Sequence, residues 1–228
     1  MRRISSACVT DALGPNLNLW KQQLGYVPDA VWSRTDLETL VLADNALADL
    51  SERIGSLKHL RMLDLGHNQL TQVPAALGQL EALTDFLYLH NNRLSTLPES
   101  LGQLNRLRYL NLADNAFTTL PAAVAGMAGL IELRADGNQL TSLPEWIGEL
   151  RALRELHLRN NRLTRLPASI GKLRDLRQLD LRGNPLRELP PAIAALPKLD
   201  KLDLRWATTL APPAWFNDLE ARGCLIYR

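Results

Sequence analysis

A pattern of leucines recurs along almost the whole chain with a spacing of 23 residues. It is written L-x-x-L-x-L-x-x-N-x-L, and one copy runs from Leu60 to Leu70 with its asparagine at Asn68. In the same frame, further copies begin at Leu37, Leu107, Leu130, Leu153 and Leu176. A fixed period of this length is typical of chains that stack one structural unit on the next. The sequence therefore predicts a stack of like units.

Each unit has two halves with different periodicities. Apolar residues alternate with a polar one across Leu63-Asp64-Leu65, which predicts a short strand with one buried face. In the second half, Leu97, Leu101 and Leu104 fall on one face of a helical turn, and Pro98 can open that turn. The second half is therefore predicted to be a short helix or a 3₁₀ turn.

An asparagine follows each predicted strand at a constant interval. Its amide carries both a donor and an acceptor, so a stacked column of asparagines can bond the backbone of neighbouring units. The column comprises Asn45, Asn68, Asn92, Asn115, Asn138, Asn161 and Asn184.

These residues resemble the leucine-rich repeat family, whose consensus is the same L-x-x-L-x-L-x-x-N-x-L. The second half, seen at 166–173, is similar to the L-P-x-x-I-G-x-L class of plant intracellular Ras-group-related proteins, animal LAP scaffolds and bacterial repeat proteins. The resemblance covers residues 14–206, about eight to nine units. It implies an α/β solenoid, a curved right-handed superhelix with a concave parallel sheet and short helices or 3₁₀ turns on the convex side. In this family the concave face usually binds a protein.

The ends of the array depart from the repeat. The first unit is atypical, with Gln22 at the asparagine position, as expected where one face of a terminal unit meets water. Residues 1–13 are predicted to be an N-terminal cap or a flexible segment. Residues 207–228 are predicted to be a C-terminal cap, a short helix followed by a last strand that covers the sheet edge.

One internal unit carries an extra residue. The step from Leu83 to Leu107 is 24 residues, and the addition lies between Leu83 and Leu87. An extra residue beside a strand can form a bulge that redirects side chains near a functional site. Drift in repeat length is the alternative, and the sequence leaves both open.

Motifs for catalysis are missing from the sequence. It contains no phosphate-binding loop, dinucleotide fingerprint, zinc-protease helix or hydrolase elbow, so a non-enzymatic protein is expected. The alternative is the targeting domain of an enzyme such as an effector ubiquitin ligase, with the catalytic part outside this chain. His67 and His90 fall on adjacent units near Asp64, but two histidines without a well-placed third ligand make a weak metal signal. Neither a metal nor another cofactor is predicted.

Charge is unevenly distributed although the net charge is only +2. Residues 35–150 hold seven Lys/Arg and fourteen Asp/Glu, whereas residues 151–206 hold thirteen and six, so the two parts carry −7 and +7. Such a dipole can steer association with a partner, or it can merely solubilise the surface. An arginine column at Arg159, Arg182 and Arg205 would suit phosphates, but carboxylates lie among them and would repel a polyanion. These carboxylates are Glu155, Asp180 and Asp203. No nucleic-acid partner is predicted.

Strand alternation predicts which side chains reach the concave face. Apolar and aromatic residues gather there on a few adjacent units, and charged residues follow them along the array. Aromatic anchors with a polar rim are typical of binding hot spots, although the rings could simply pack together and stiffen the sheet. The predicted partner-binding residues are Val41, Met62, Phe86, Tyr88, His90, Tyr109, Arg134, His157, Arg159, Arg182 and Arg205.

The sequence also bears on location. No apolar run approaches the roughly 20 residues that span a bilayer, and the N-terminus lacks the apolar core of a signal peptide. The cysteine-rich caps usual in extracellular relatives are missing, which favours a reducing compartment. We therefore expect a soluble cytoplasmic monomer that binds an unidentified protein, either a bacterial regulator or scaffold or an effector delivered into a host cell.

Overall fold

Residues 14–228 are described by a computed structural model of the chain. Within them, ten three-residue strands form one parallel sheet whose strand order follows the chain. The strands are β1 (Asn16–Asn18), β2 (Thr39–Val41), β3 (Met62–Asp64), β4 (Phe86–Tyr88), β5 (Tyr109–Asn111), β6 (Glu132–Arg134), β7 (Glu155–His157), β8 (Gln178–Asp180), β9 (Lys201–Asp203) and β10 (Leu225–Tyr227). The predicted curved solenoid is confirmed. The segment predicted for residues 1–13 lies outside the described residues.

The convex half of each unit is a 3₁₀ turn. Each turn is preceded by a residue whose carbonyl accepts the first hydrogen bond, as Pro98 does from the N–H of Leu101 at 3.1 Å. Pro98 is therefore the N-terminal cap residue of this turn, and Glu99 occupies the first position, where the sequence had placed the proline. The turns span Asp29–Ser33, Glu52–Ser56, Ala75–Gln79, Glu99–Gln103, Ala122–Gly126, Glu145–Glu149, Ala168–Lys172 and Pro191–Ala195.

Leucines from strands and turns meet in one continuous core that runs the length of the described array. Leu110 and Leu156, the central residues of β5 and β7, are fully buried. Neighbouring turns also approach closely on the convex side. A Cβ at Gly126 would collide with the carbonyl of Gly102, so this contact between units requires glycine.

The predicted asparagine column is confirmed. The side-chain oxygen of Asn138 accepts a hydrogen bond from the backbone N–H of Phe117 at 3.1 Å. Its side-chain nitrogen donates to the backbone carbonyls of Leu112 and Ala135 at 2.9 and 3.2 Å. Each such side chain thus pairs backbone groups of two consecutive units, where the chain turns away from the sheet. Gln22 does not continue the column, because its amide donates to the carbonyl of Trp20 in its own unit.

The extra residue in the fourth unit does not form a bulge in the sheet. Phe86 pairs in register with Met62 on one side and Tyr109 on the other, so β4 is uninterrupted. The chain accommodates the addition before the strand, where the carbonyl of Thr84 accepts from the N–H of Arg108 at 2.9 Å. Of the two alternatives that the sequence left open, a bulge within the strand is therefore excluded, since the preceding loop takes up the additional length.

The last described residues pack onto the end of the core. Helix α1 (Phe216–Ala221) buries Phe216 and Leu219, and β10 pairs with β9 in parallel. Cys224 lies buried between these elements as a free thiol. Over residues 14–228, every helix is too short or too polar to cross a membrane.

Candidate functional site

Three rows of side chains line the concave face. The first residue of each strand belongs to the first row, and the last residue of each strand belongs to the second row. The third row consists of the residues two positions after the strand ends, such as His90 after β4. On β1 to β9 the central leucine of each strand points the other way into the core. All the predicted partner-binding residues occupy these rows.

Aromatic rings occupy neighbouring positions on β4, β5 and the residues just after β4. Phe86 stacks on Tyr88 with a 5.9 Å centroid separation and 9° between planes, and Tyr109 contacts both rings at 5.5 and 5.0 Å. His90 meets Tyr88 edge-on at 6.0 Å and His67 at 5.0 Å. We call Phe86, Tyr88, His90 and Tyr109 the aromatic cluster. Phe86 remains 43% exposed despite its ring contacts.

The two apolar residues predicted to extend the cluster are less continuous with it. Met62 lies directly beside Phe86 in register and is partly exposed. Val41 occupies the second row, where Asp64 separates it from Tyr88. The predicted patch is thus interrupted in one row by a carboxylate.

A groove of about 480 Å³ opens beside Phe86 and Tyr109. Its rim is polar, because Arg61 pairs with Asp85 at 3.0 Å and Arg108 and Glu132 border the opposite side. The groove therefore joins apolar ring faces to a charged border.

Burial alters the titration of three members of the aromatic cluster, among them Tyr88, whose pKa it raises. It raises the pKa of the Tyr109 hydroxyl to about 12, mainly by desolvating the phenolate. Burial also lowers the pKa of His90, an effect that the nearby Asp64 and Asp114 oppose and His67 reinforces. All three side chains are therefore uncharged at neutral pH.

The concave face beyond the aromatic cluster carries paired charges. The Arg182 guanidinium binds both carboxylate oxygens of Asp180, at 2.6 Å for Nη2 and 2.9 Å for Nε. Arg205 holds Asp203 in the same way at 2.8 and 3.0 Å, and Arg182 also approaches Asp203 at 3.5 Å. The predicted neutralisation of the arginine column is observed at these two arginines.

Asp203 is fully buried yet remains an acid of low pKa. Burial by itself raises its pKa, but hydrogen bonds from the Arg205 side chain and backbone, together with the Arg182 charge, outweigh that effect. The carboxylate is therefore charged and internally compensated across the neutral range.

The third arginine of the column is bound more loosely. Arg159 approaches Asp136 at 3.8 Å through Nε, and its backbone N–H donates to the same carboxylate at 3.0 Å. The expected neighbour Glu155 instead contacts His157 at 3.2 Å. Arg134 pairs with Glu132 at 2.6 Å. Glu132 also lies 3.7 Å from His157, so Glu132, Glu155 and His157 lie close together between β6 and β7. The sequence placed these residues on one face but did not identify their contacts.

The sequence matches two family descriptions over most of its length. "Leucine rich repeat" matches residues 35–94 and 85–140, and "Leucine-rich repeat region" matches residues 146–221. No curated protein matches the chain.

Solved structures with the same fold come from bacteria and plants. A leucine-rich repeat protein of Leptospira interrogans is 28% identical, with a TM-score of 0.70 over 97% of this chain and 68% of its own. The structure described as PEPR1-AtPEP1 is also 28% identical, with a TM-score of 0.68 over 83% of this chain and 31% of its own. The ectodomain of the Arabidopsis thaliana receptor kinase GASSHO1/SCHENGEN3, in complex with CASPARIAN STRIP INTEGRITY FACTOR 2, is 30% identical with a TM-score of 0.61. That comparison covers 78% of this chain and 25% of the receptor, so the chain spans only a fraction of either plant structure.

Proposed function

We propose that this chain, which belongs to the leucine-rich repeat family, is a non-catalytic module that binds a partner protein on its concave face. The observation that carries the proposal is the aromatic cluster on β4 and β5. Its rings contact one another but leave apolar area open to solvent, with Phe86 the most exposed. Burial of such area against a partner is favourable by about 25 cal/mol per Å².

The surroundings of the aromatic cluster support the same role. Binding hot spots combine large rigid side chains with a polar rim that excludes water, and the groove beside Phe86 and Tyr109 has that composition. The similar structures include the ectodomain of a plant membrane receptor kinase in complex with CASPARIAN STRIP INTEGRITY FACTOR 2, which supports a binding role for this fold.

Several finer features stay proposals. We place the repeat array at 14–206 and a C-terminal cap at 207–228, and we propose a cytoplasmic monomer without nucleic-acid or membrane partners. We propose that the module acts either as a bacterial regulator or scaffold or as a translocated effector. The targeting domain of a larger enzyme, such as an effector ubiquitin ligase, is the alternative.

The test is comparative affinity capture from a cell lysate. The protein is immobilised so that its concave face stays accessible. Wild type and the double variant Phe86→Ala/Tyr88→Ala are compared by quantitative mass spectrometry. Tyr26→Ala/Trp206→Ala is the matched control, because it removes two exposed rings outside the aromatic cluster. Proteins retained by wild type and control but lost by the Phe86/Tyr88 variant are the expected partners.

Circular dichroism and the melting temperature of the Phe86/Tyr88 variant should remain close to wild type, because neither ring belongs to the buried core. Capture that survives the double substitution in a folded protein would place the binding surface elsewhere. Lysates of the source organism and of a host cell, run in parallel, separate the regulator from the effector role.

A further inference from the structure

Three metal-ligating side chains converge on the concave face beside the aromatic cluster. Glu132 lies on β6, and Glu155 and His157 lie on the neighbouring β7. Their donor atoms all fall within 4.8 Å of one another. The His157 Nε2 atom lies 3.2 Å from Glu155 Oε2 and 3.7 Å from Glu132 Oε1.

These separations match those between ligands of one metal ion. Zn²⁺ binds histidine nitrogen and carboxylate oxygen at about 2.0–2.2 Å, so ligands at tetrahedral angles lie about 3.4 Å apart. The two nitrogen–oxygen distances fall on either side of this value, and the carboxylate oxygens of Glu132 and Glu155 lie within 4.8 Å of each other. A small movement of the glutamate side chains would therefore complete the geometry without a change in the backbone.

The backbone holds the three residues in place. Glu132 pairs with Glu155 in register, and Arg134 pairs with His157, so all the ligands stand on two hydrogen-bonded strands. Arg134 donates to Glu132 Oε1 at 2.6 Å, an outer contact of the kind that orients ligating carboxylates. At this point the two carboxylates outnumber the Arg134 guanidinium, which favours binding of a cation.

The location leaves room for a further ligand. Glu132 borders the groove beside the aromatic cluster, and His157 borders a second cavity of about 240 Å³ between β6 and β9. Each ligand side chain is partly exposed, so an ion can enter from the concave side. Three protein ligands and an open fourth position are the arrangement of zinc sites that bind water or an external group.

We propose that Glu132, Glu155 and His157 form a binding site for a divalent transition-metal ion, with Zn²⁺ as the matching ion. The site differs from the histidine pair that the sequence suggested. His67 and His90 meet edge to face, and one nitrogen of His90 is buried without a hydrogen-bond partner, so His67 packs against the aromatic cluster at His90.

The experiment uses untagged full-length protein freed of metal by a chelator. Isothermal titration calorimetry with Zn²⁺ alone should show one ion per chain, and Co²⁺ should give the visible absorption of a tetrahedral complex. His157→Gln and Glu155→Gln should each weaken the affinity at least about 10-fold, since each removes one of three ligands. His67→Gln is the matched control and should bind as wild type does.

Absence of Zn²⁺ binding to the wild-type protein would overturn the proposal. Binding that both His157→Gln and Glu155→Gln leave unchanged would also overturn it, and loss with His67→Gln alone would assign the ion to the histidine pair. Circular dichroism of every variant checks the fold. If His157→Gln is unstable, Glu155→Gln, at a partly exposed side chain, provides the second readout. The result is independent of whether a partner protein is captured.

Discussion

The strands β4–β5 and β8–β9 share one leucine framework but present opposite chemistry on the concave face. On β4 and β5, rings contact rings and leave apolar area exposed, whereas the carboxylates of β8 and β9 are bound by guanidinium groups of residues just after each strand. The core leucines carry the fold in both regions, so the exposed rows are free to differ. A partner gains by covering exposed apolar area but must compete with charge pairs that are already satisfied.

If the two regions differ only at the surface, equivalent core substitutions should be equally costly in both. Leu110→Ala on β5 and Leu202→Ala on β9 each remove a fully buried side chain. Each should lower the free energy of unfolding by about 2–5 kcal/mol, because rigid neighbouring units cannot refill the volume. Urea unfolding measures both, and a large cost in only one region would show that the frameworks are not equivalent.

Removal of surface cations should destabilise the charged region specifically. Arg182→Ala/Arg205→Ala leaves Asp180 and Asp203 without their main partners, at a cost of about 2–4 kcal/mol at pH 7. Arg159→Ala is the control, because that exposed side chain holds Asp136 only at 3.8 Å and should change stability by less than about 1 kcal/mol. Equal unfolding free energies for the double variant and wild type would mean that the pairs contribute nothing.

The same charge pairs predict how the free energy of unfolding changes with pH. The pKa of Asp203 in the folded protein lies below its ordinary value, so its contribution is complete above the unfolded pKa of about 4 and is lost as pH falls further. The difference in unfolding free energy between wild type and Arg182→Ala/Arg205→Ala should therefore shrink below about pH 4. A difference that stays constant down to pH 3 would remove Asp203 from the explanation.

A smaller pH effect of different origin is expected in the aromatic region. Since burial lowers the pKa of folded His90, the unfolded chain binds a proton more readily as pH falls below about 6.5, and stability should decline there. His90→Gln should lessen the drop in melting temperature between pH 7.5 and 5.5. His59→Gln, at an exposed position, is the control and should keep the wild-type drop.

Periodicity was sufficient to predict the strands, the convex turns and the asparagine column, because each depends on residues that recur at fixed intervals. It also predicted which side chains share the concave face. It did not predict the partners of the long charged side chains, since several carboxylates lie within reach of each cation. Glu155 thus contacts His157 and not Arg159. The sequence also did not identify Glu132 as the partner of Arg134 or Asp136 as the partner of Arg159. Their position beside histidine and arginine on adjacent strands was the available signal.

The extra residue in the fourth unit shows a related limit. Repeat length located the addition between Leu83 and Leu87 but could not place it in the strand or in the loop. Hydrogen bonding decided the outcome, because a bulge would have disrupted strand pairing on both sides of β4, while the loop had room for another residue.

The most direct measurement is the dissociation constant of the captured partner for three forms of the protein: wild type, Phe86→Ala/Tyr88→Ala and Arg182→Ala/Arg205→Ala. With hot-spot residues worth about 2 kcal/mol or more, the aromatic variant should bind at least about 30-fold more weakly, and the arginine variant, where folded, within about 10-fold of wild type. An aromatic variant that binds as wild type does, with the arginine variant losing affinity, would contradict the assignment of the binding surface to the aromatic cluster.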